Sequence, residues 1–487
     1  MRFASILGIC CALIAGSAYA DRSPVFVVDR EFYPYYPSLL KWNKSTVPFT
    51  APEVCGECHE QQYREWNGSI HSLAFKDPVY QGELAKAVKA VGHEISRQCE
   101  GCHSPVGMVT GEIKGARLSG LSPIALQGVS CDVCHSVSGT THWQTPAREP
   151  ENASLILSPG VESESGQRLI KRGPLAPSEE CGGGFHECVE TELHVQADLC
   201  AGCHQVYHHD AHFPLEATYL EWKHGPYAQK AILCQDCHMV DIATFKRSAD
   251  QFIRPERTDY RHYFNGANFL LSYLGSGAAK RAGNPDLAEQ MMKQYHMAVE
   301  RLQAAAGLEL TPIYHNGRLT EVMVRVKNLR AGHNLPTSLT NVRQMWLEIT
   351  AKDQQQGRIL MSSGSVQADG SLPANTRQFN SDGMGQDFHF AIDPWLVTAF
   401  SRHDTIPPKG YKDVYYGLHL PADVREVSIE AKLRFRQADQ RVAEALLAAV
   451  PKDINLERDY GLKQVPPLPV VDMVIGTATF AVHNVQK

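Results

Sequence analysis

Five copies of Cys-x-x-Cys-His constrain this chain more than any other feature: Cys55 to His59, Cys99 to His103, Cys131 to His135, Cys200 to His204 and Cys234 to His238. On a helical turn, residues i and i+3 share a face. Cys55 and Cys58, Cys99 and Cys102, Cys131 and Cys134, Cys200 and Cys203, and Cys234 and Cys237 therefore each present two thiols to one side. This is the covalent attachment spacing for c-type haem: the thiols reach the two vinyl groups of one porphyrin, and the histidine that follows binds its iron. A single copy would also suit a zinc half-site or a thiol redox pair. Five copies point to five covalently bound haems c, with His59, His103, His135, His204 and His238 as proximal ligands.

The remaining cysteines fit an exported protein. Of fourteen, ten are in the motifs, Cys10 and Cys11 lie in an apolar N-terminal run, and Cys181 and Cys188 are left. Residues 1–20 read as a Sec-type signal peptide, with Arg2, the apolar stretch Phe3 to Ala15 and an A-x-A site at Ala18-Tyr19-Ala20. That run is short for a spanning helix, and Ile9 is a poor residue before a lipoprotein cysteine. The mature chain is expected to start at Asp21, to reach the periplasm or surface of a bacterium, and to have no stable membrane insertion. In that oxidising setting Cys181 and Cys188 are expected to close a short disulfide loop, worth about 2 kcal/mol by the chain-entropy model.

A net charge of -6 leaves no basic footprint for nucleic acid. Redox partner proteins with basic patches are the expected partners, and end-to-end self-association is left open by the sequence.

Periodicity divides the chain. Residues 21–50, rich in Tyr, Phe and Pro, read as an extended arm over the first haem. Helical patterns precede the motifs, at Glu83 to Val91 and Thr218 to Lys230, while Thr145 to Gly183 reads as a long irregular connection. Asp286 to Ala306 is the longest helical pattern, with Gly307 as its expected stop. Beyond it the period becomes two: Val322, Val324 and Val326; Leu347, Ile349 and Ala351; Val427 to Phe435; and Val470 to Val482. The expected fold is α+β and multidomain. An irregular, mainly helical pentahaem domain (51–307) ends in a long helix. An antiparallel β-sandwich of immunoglobulin-like shape (308–487) follows it, with a short helix near Asp439 to Ala449 inserted.

Each iron keeps one further axial position, and its occupant decides between electron transfer and catalysis. Of twenty-two histidines, seventeen remain beyond the proximal five. His71, His262, His333, His186 and His194 are candidates for the opposite face; a ligand role for His333 would dock the β domain on the haem domain. His93, His142 and His224 are further histidines near the motifs, and His208-His209-Asp210-x-His212 reads as a solvated loop. The short gaps from Cys99 to Cys131 and from Cys200 to Cys234 favour two close haem pairs. No nucleotide loop, G-x-S-x-G elbow or H-E-x-x-H helix is present.

Several stretches carry a family resemblance: Cys55-x-x-Cys-His with Trp66-x-x-Ser69-x-His71, Gly128-Val129-Ser130 before the third motif, Glu221-Trp222-Lys223 before the fifth, and Gly332-His333-x-x-Pro336-Thr337. Through them the chain resembles the multihaem cytochromes c related to the tetrahaem electron carrier of the nitrifiers' hydroxylamine-oxidation chain. The resemblance implies an exported electron-transfer protein with mostly bis-histidine haems, in which His71, His262 and His333 are distal ligands. Five motifs and the β domain depart from that carrier, so its partner and pathway do not carry over. The chain also invites comparison with pentahaem nitrite reductases, but those usually have a lysine in one motif and a helical C-terminal part. A reductase of a small nitrogen or sulfur oxyanion, with one open haem, is the alternative expectation to an electron carrier.

Overall fold

The computed structural model describes residues 38–43, 47–145, 147–164, 166–179, 181–208, 211–256 and 260–483. The signal segment, most of the N-terminal arm, and His209 and Asp210 lie outside the described residues.

Short helices, each started by local chemistry, carry the motifs. Asp77 caps the Pro78–Val91 helix by accepting from the Val79 N–H, with Pro78 filling a first-turn position that needs no donor. Four motifs end or fill helices, at His93–His103, Cys131–His135, Asp198–His204 and Cys234–His238. The first straddles Pro52–Gly56 and the turn that begins Glu60–Asn67. The expected helix over Thr218 to Lys230 is broken into Thr218–Lys223 and Pro226–Gln229, because Gly225-Pro226 interrupts it.

Two expectations are corrected. The stretch from Thr145 to Gly183 is not one loop: it contains strands Leu155–Leu157, Gly160–Ser163 and Gly166–Gly173. The described part of the N-terminal arm does not lie over the first motif. Lys41 and Trp42 pair in parallel with Ile156 and Leu157, and Leu40 is buried in a cluster with Met108, Val137 and Leu155 that borders Cys102 and Cys203.

The longest helix runs from Pro285 to Ala305, with the Asn284 side chain accepting from the Leu287 N–H. Gly307, expected to stop it, lies instead inside a strand that begins at once, at Ala306. Nine strands follow; Ser381–Met384 and Ala399–His403 pair with each other, and the other seven are β1 (Ala306–His315), β2 (Arg318–Asn328), β3 (Gln344–Asp353), β4 (Ile359–Ser363), β5 (Tyr411–Gly417), β6 (Glu426–Arg436) and β7 (Val471–Ala481). They form two antiparallel sheets, ordered β5-β2-β1 and β4-β3-β6-β7. Alternate residues of both, including Val322, Val324, Val326, Leu347, Ile349, Ile429 and Leu433, meet in one core. Phe269, Ala298 and Leu302 from the preceding helices enter that core, so the haem-bearing part and the β part are packed together.

A second seam joins them. The helix Gln440–Ala448, capped by Asp439, packs on Pro78–Val91 so closely that a Cβ on Gly82 would stand 1.9 Å from the Leu446 carbonyl oxygen. Gly82→Ala is expected to lower the unfolding free energy by about 1–3 kcal/mol through overpacking. Gly417→Ala, where a Cβ meets open space, is expected to change it by about 0.5 kcal/mol or less. Chemical denaturation of the two variants compares these directly.

Candidate haem sites

All five motifs open on one connected cavity of about 1420 Å³. Its lining includes the ten motif cysteines and all ten candidate histidines. None of the ten thiols is in a disulfide, although Cys181 and Cys188 are bonded to each other. Burial pushes the Cys99 and Cys134 thiols up to about 12, so they stay protonated and unpaired in an apolar space.

Histidines face one another across this space. The ring centroids of His59 and His186 are 6.4 Å apart, those of His71 and His204 6.3 Å, and those of His238 and His333 6.3 Å. His135 stands 6.2 Å from His262. Two imidazoles bound to one metal through single nitrogens, at about 2 Å each as in other metal sites, have centroids roughly 6 Å apart. The donor set and its spacing therefore fit an iron between each pair.

Hydrogen bonds aim the rings. Nδ1 of His103 donates to the Ala74 carbonyl at 2.8 Å, that of His135 to Arg172 at 2.6 Å, and that of His238 to Asn265 at 2.7 Å. His262 donates to Tyr260 at 2.8 Å and His333 to Asn334 at 3.0 Å. With Nδ1 occupied by a carbonyl, the neutral tautomer leaves the Nε2 lone pair for a metal. Burial keeps these rings neutral: it is the main cause that lowers His71 and His238 to about 3, and His103 and His262 to about 4.

His194, expected among the ligands, is placed differently. Its ring is 5.9 Å from that of His135, but Nδ1 is held by Thr191 Oγ1 at 2.6 Å and Nε2 by the Cys134 carbonyl at 3.0 Å. Both of its ring nitrogens are engaged in hydrogen bonds, one of them to the third motif. His103 differs again. No histidine faces it among the described residues; instead the Tyr80 ring stacks on it at 3.8 Å and 5°. The Tyr80 hydroxyl is buried with no hydrogen-bond partner among the described residues. His93 pairs with Glu100 at 3.0 Å, and His212 with Glu151 at 3.1 Å.

The order of the sites differs in part from the expectation. The Cys200 and Cys234 thiols touch, as their short gap suggested. Cys131, however, touches Cys55 rather than a cysteine of the second motif, and Cys102 touches Cys203. The reason is a staple: the Trp66 indole donates to the Val129 carbonyl at 2.8 Å, and the Val129 N–H to the His71 carbonyl at 2.9 Å. It ties the third motif to the helix after the first. Cys134 of the third motif lies within electrostatic reach of Cys200 and Cys203 of the fourth, so the sites run first, third, fourth, with the second and fifth both against the fourth.

Arg301 and Tyr80 were not found from sequence. For Arg301 there was a signal: a cation in the buried stripe that includes Ala298 and Leu302.

Residues 54–136, which hold the first three motifs, match the family described as cytochrome c554 and c-prime. No functionally curated protein matches the chain. Among solved structures, a penta-heme cytochrome c552 from Thermochromatium tepidum is similar in fold, with a TM-score of 0.55 at 18% identity, over 89% of this chain and 99% of that one.

The loop that carries His333 is held by a buried carboxyl. Glu221 accepts from Thr337 Oγ1 at 2.5 Å and from the Asn334 N–H at 3.1 Å. Burial raises it to about 7 from an ordinary 4.5, against the pull of those two bonds. With the folded value above the unfolded one, its contribution is complete below about pH 4.5 and is lost as pH rises through 7. Glu221→Gln is expected to abolish that loss, roughly 3 kcal/mol, in thermal melts of the holoprotein between pH 5 and 8.

By these comparisons the chain is similar to the multihaem cytochromes c, in sequence over residues 54–136 and in fold over most of its length.

Proposed function

We propose that this chain is an exported pentahaem c-type cytochrome that relays single electrons. The observation that carries the reading is the set of four facing histidine pairs, with His186, His71, His262 and His333 opposite His59, His204, His135 and His238. When bound, haem c supplies reversible one-electron chemistry at its iron. The chain's own part is to anchor each porphyrin through two thiols, to close four irons with a second imidazole, and to keep water from the sites by burial except at the first, where Cys58 and His59 are exposed. The penta-heme description of the similar structure supports a count of five, and the match over residues 54–136 supports a c-type cytochrome. Export rests on the signal-like N-terminus; no described helix is long and apolar enough to cross a membrane. The sheet orders β5-β2-β1 and β4-β3-β6-β7 support reading the β domain as immunoglobulin-like. Partners on this reading are basic redox proteins.

One observation favours the second reading, a reductase: His103 has a neighbouring Tyr80 but no opposing histidine among the described residues. That leaves one axial position for a small molecule. Steady-state turnover of nitrite or hydroxylamine with reduced viologen would support it; no turnover leaves the carrier alone.

His333→Ala is expected to convert one low-spin ferric signal of the holoprotein to high-spin in low-temperature electron paramagnetic resonance while five haems stay attached. An unchanged spectrum contradicts the proposed ligation and, with it, the docking role of the β domain.

A further inference from the structure

Arg301 sits on the inner face of the Pro285–Ala305 helix, 7% exposed. Its Nε donates to Asn265 Oδ1 at 3.3 Å, and its guanidinium lies 4.4 Å over the Phe245 ring. Its Nη2 is buried with no hydrogen-bond partner among the described residues. Glu300, whose charge reaches it, is engaged with Lys246 at 2.8 Å. Arg301 lines the haem cavity, and its field reaches both His238 and His333.

Asn265 couples this cation to the fifth motif. Its backbone carbonyl accepts from His238 Nδ1, and its side-chain amide is pinned by Gln294 Oε1 at 2.9 Å. A buried guanidinium with an idle donor is costly unless an anion meets it. Its planar fork matches a carboxylate better than any other anion the site would hold, and it stays charged at any working pH. Haem c carries propionate carboxylates.

Resting on the haem reading above, we propose that Arg301 is a carboxylate subsite that binds a propionate of the His238/His333 haem and makes that haem the high-potential end of the row. Adding an electron lowers the positive charge on the iron, and a fixed cation beside it stabilises the reduced form. With haems bound, one electron would pass from the adjoining fourth site, which would be oxidised, to the fifth, which would be reduced, with no bond changed and no proton moved. The fourth site is placed to donate, since Cys200 and Cys234 touch.

Optical redox titration of the holoprotein, in wild type and Arg301→Met, tests this. One haem of the variant is expected to become harder to reduce by at least tenfold in its equilibrium constant, about 59 mV for one electron, while the other four stay put. The low-spin signal that disappears in His333→Ala identifies the fifth haem among the wild-type signals, and so shows whether the haem shifted by Arg301→Met is that one. If Arg301→Met does not accumulate, Arg301→Lys decides, because it keeps the charge and loses the fork: a lowered potential for that same haem supports the subsite. Unchanged potentials, or a shift at another haem, overturn the proposal while the haem reading stands. Failure of the haem reading itself shows separately, as fewer than five haems in the wild type.

Discussion

Imidazoles facing each other across a largely apolar cavity are what the rest of this molecule depends on. A pair such as His238 and His333 brings two polar nitrogens into an apolar cavity, which costs free energy unless each finds a partner. The backbone satisfies one side: the Nδ1 groups donate to carbonyls of Asn265 and Asn334. The inner nitrogens are left for a metal. This arrangement explains why the haem-bearing part has so little regular structure. Its short helices and turns serve to deliver one thiol pair or one histidine each, and the cavity they enclose takes the place of an aliphatic core.

It also explains why the β domain is packed against the rest rather than tethered. His333 lies in the loop between β2 and β3, and that loop is fastened to the haem-bearing part by Glu221 through Asn334 and Thr337. The long helix enters the sandwich core with Ala298 and Leu302 and, from the same buried stripe, presents Arg301 to the cavity. One helix therefore couples the packing of the sandwich to the electrostatics of the fifth site.

Much of this was legible in the sequence, for physical reasons that also mark where it stopped. The motif fixes covalent geometry within five residues, so the anchoring sites could be read directly. Period-two patterns such as Val322, Val324 and Val326 mark a face, and that face proved to be the core. The side-chain partners were not legible, because they depend on contacts between residues far apart in sequence. His71 follows the first motif yet faces His204 of the fourth. His194 looked like its fellow candidates until Thr191 and the Cys134 carbonyl were seen to hold both nitrogens. The neighbour of the third motif is set by the Trp66 to Val129 hydrogen bond, which sequence separation does not encode. The strands at Leu155–Leu157 and Gly166–Gly173 were missed because short, partly exposed strands among Gly, Ser and Pro show no clear period.

The central claim is that four of five irons are closed by a second histidine and the one on His103 is not. Near-infrared magnetic circular dichroism of the oxidised holoprotein counts bis-histidine irons directly. The account predicts four bis-histidine low-spin haems and one high-spin haem; five bis-histidine haems, or fewer than four, would contradict it.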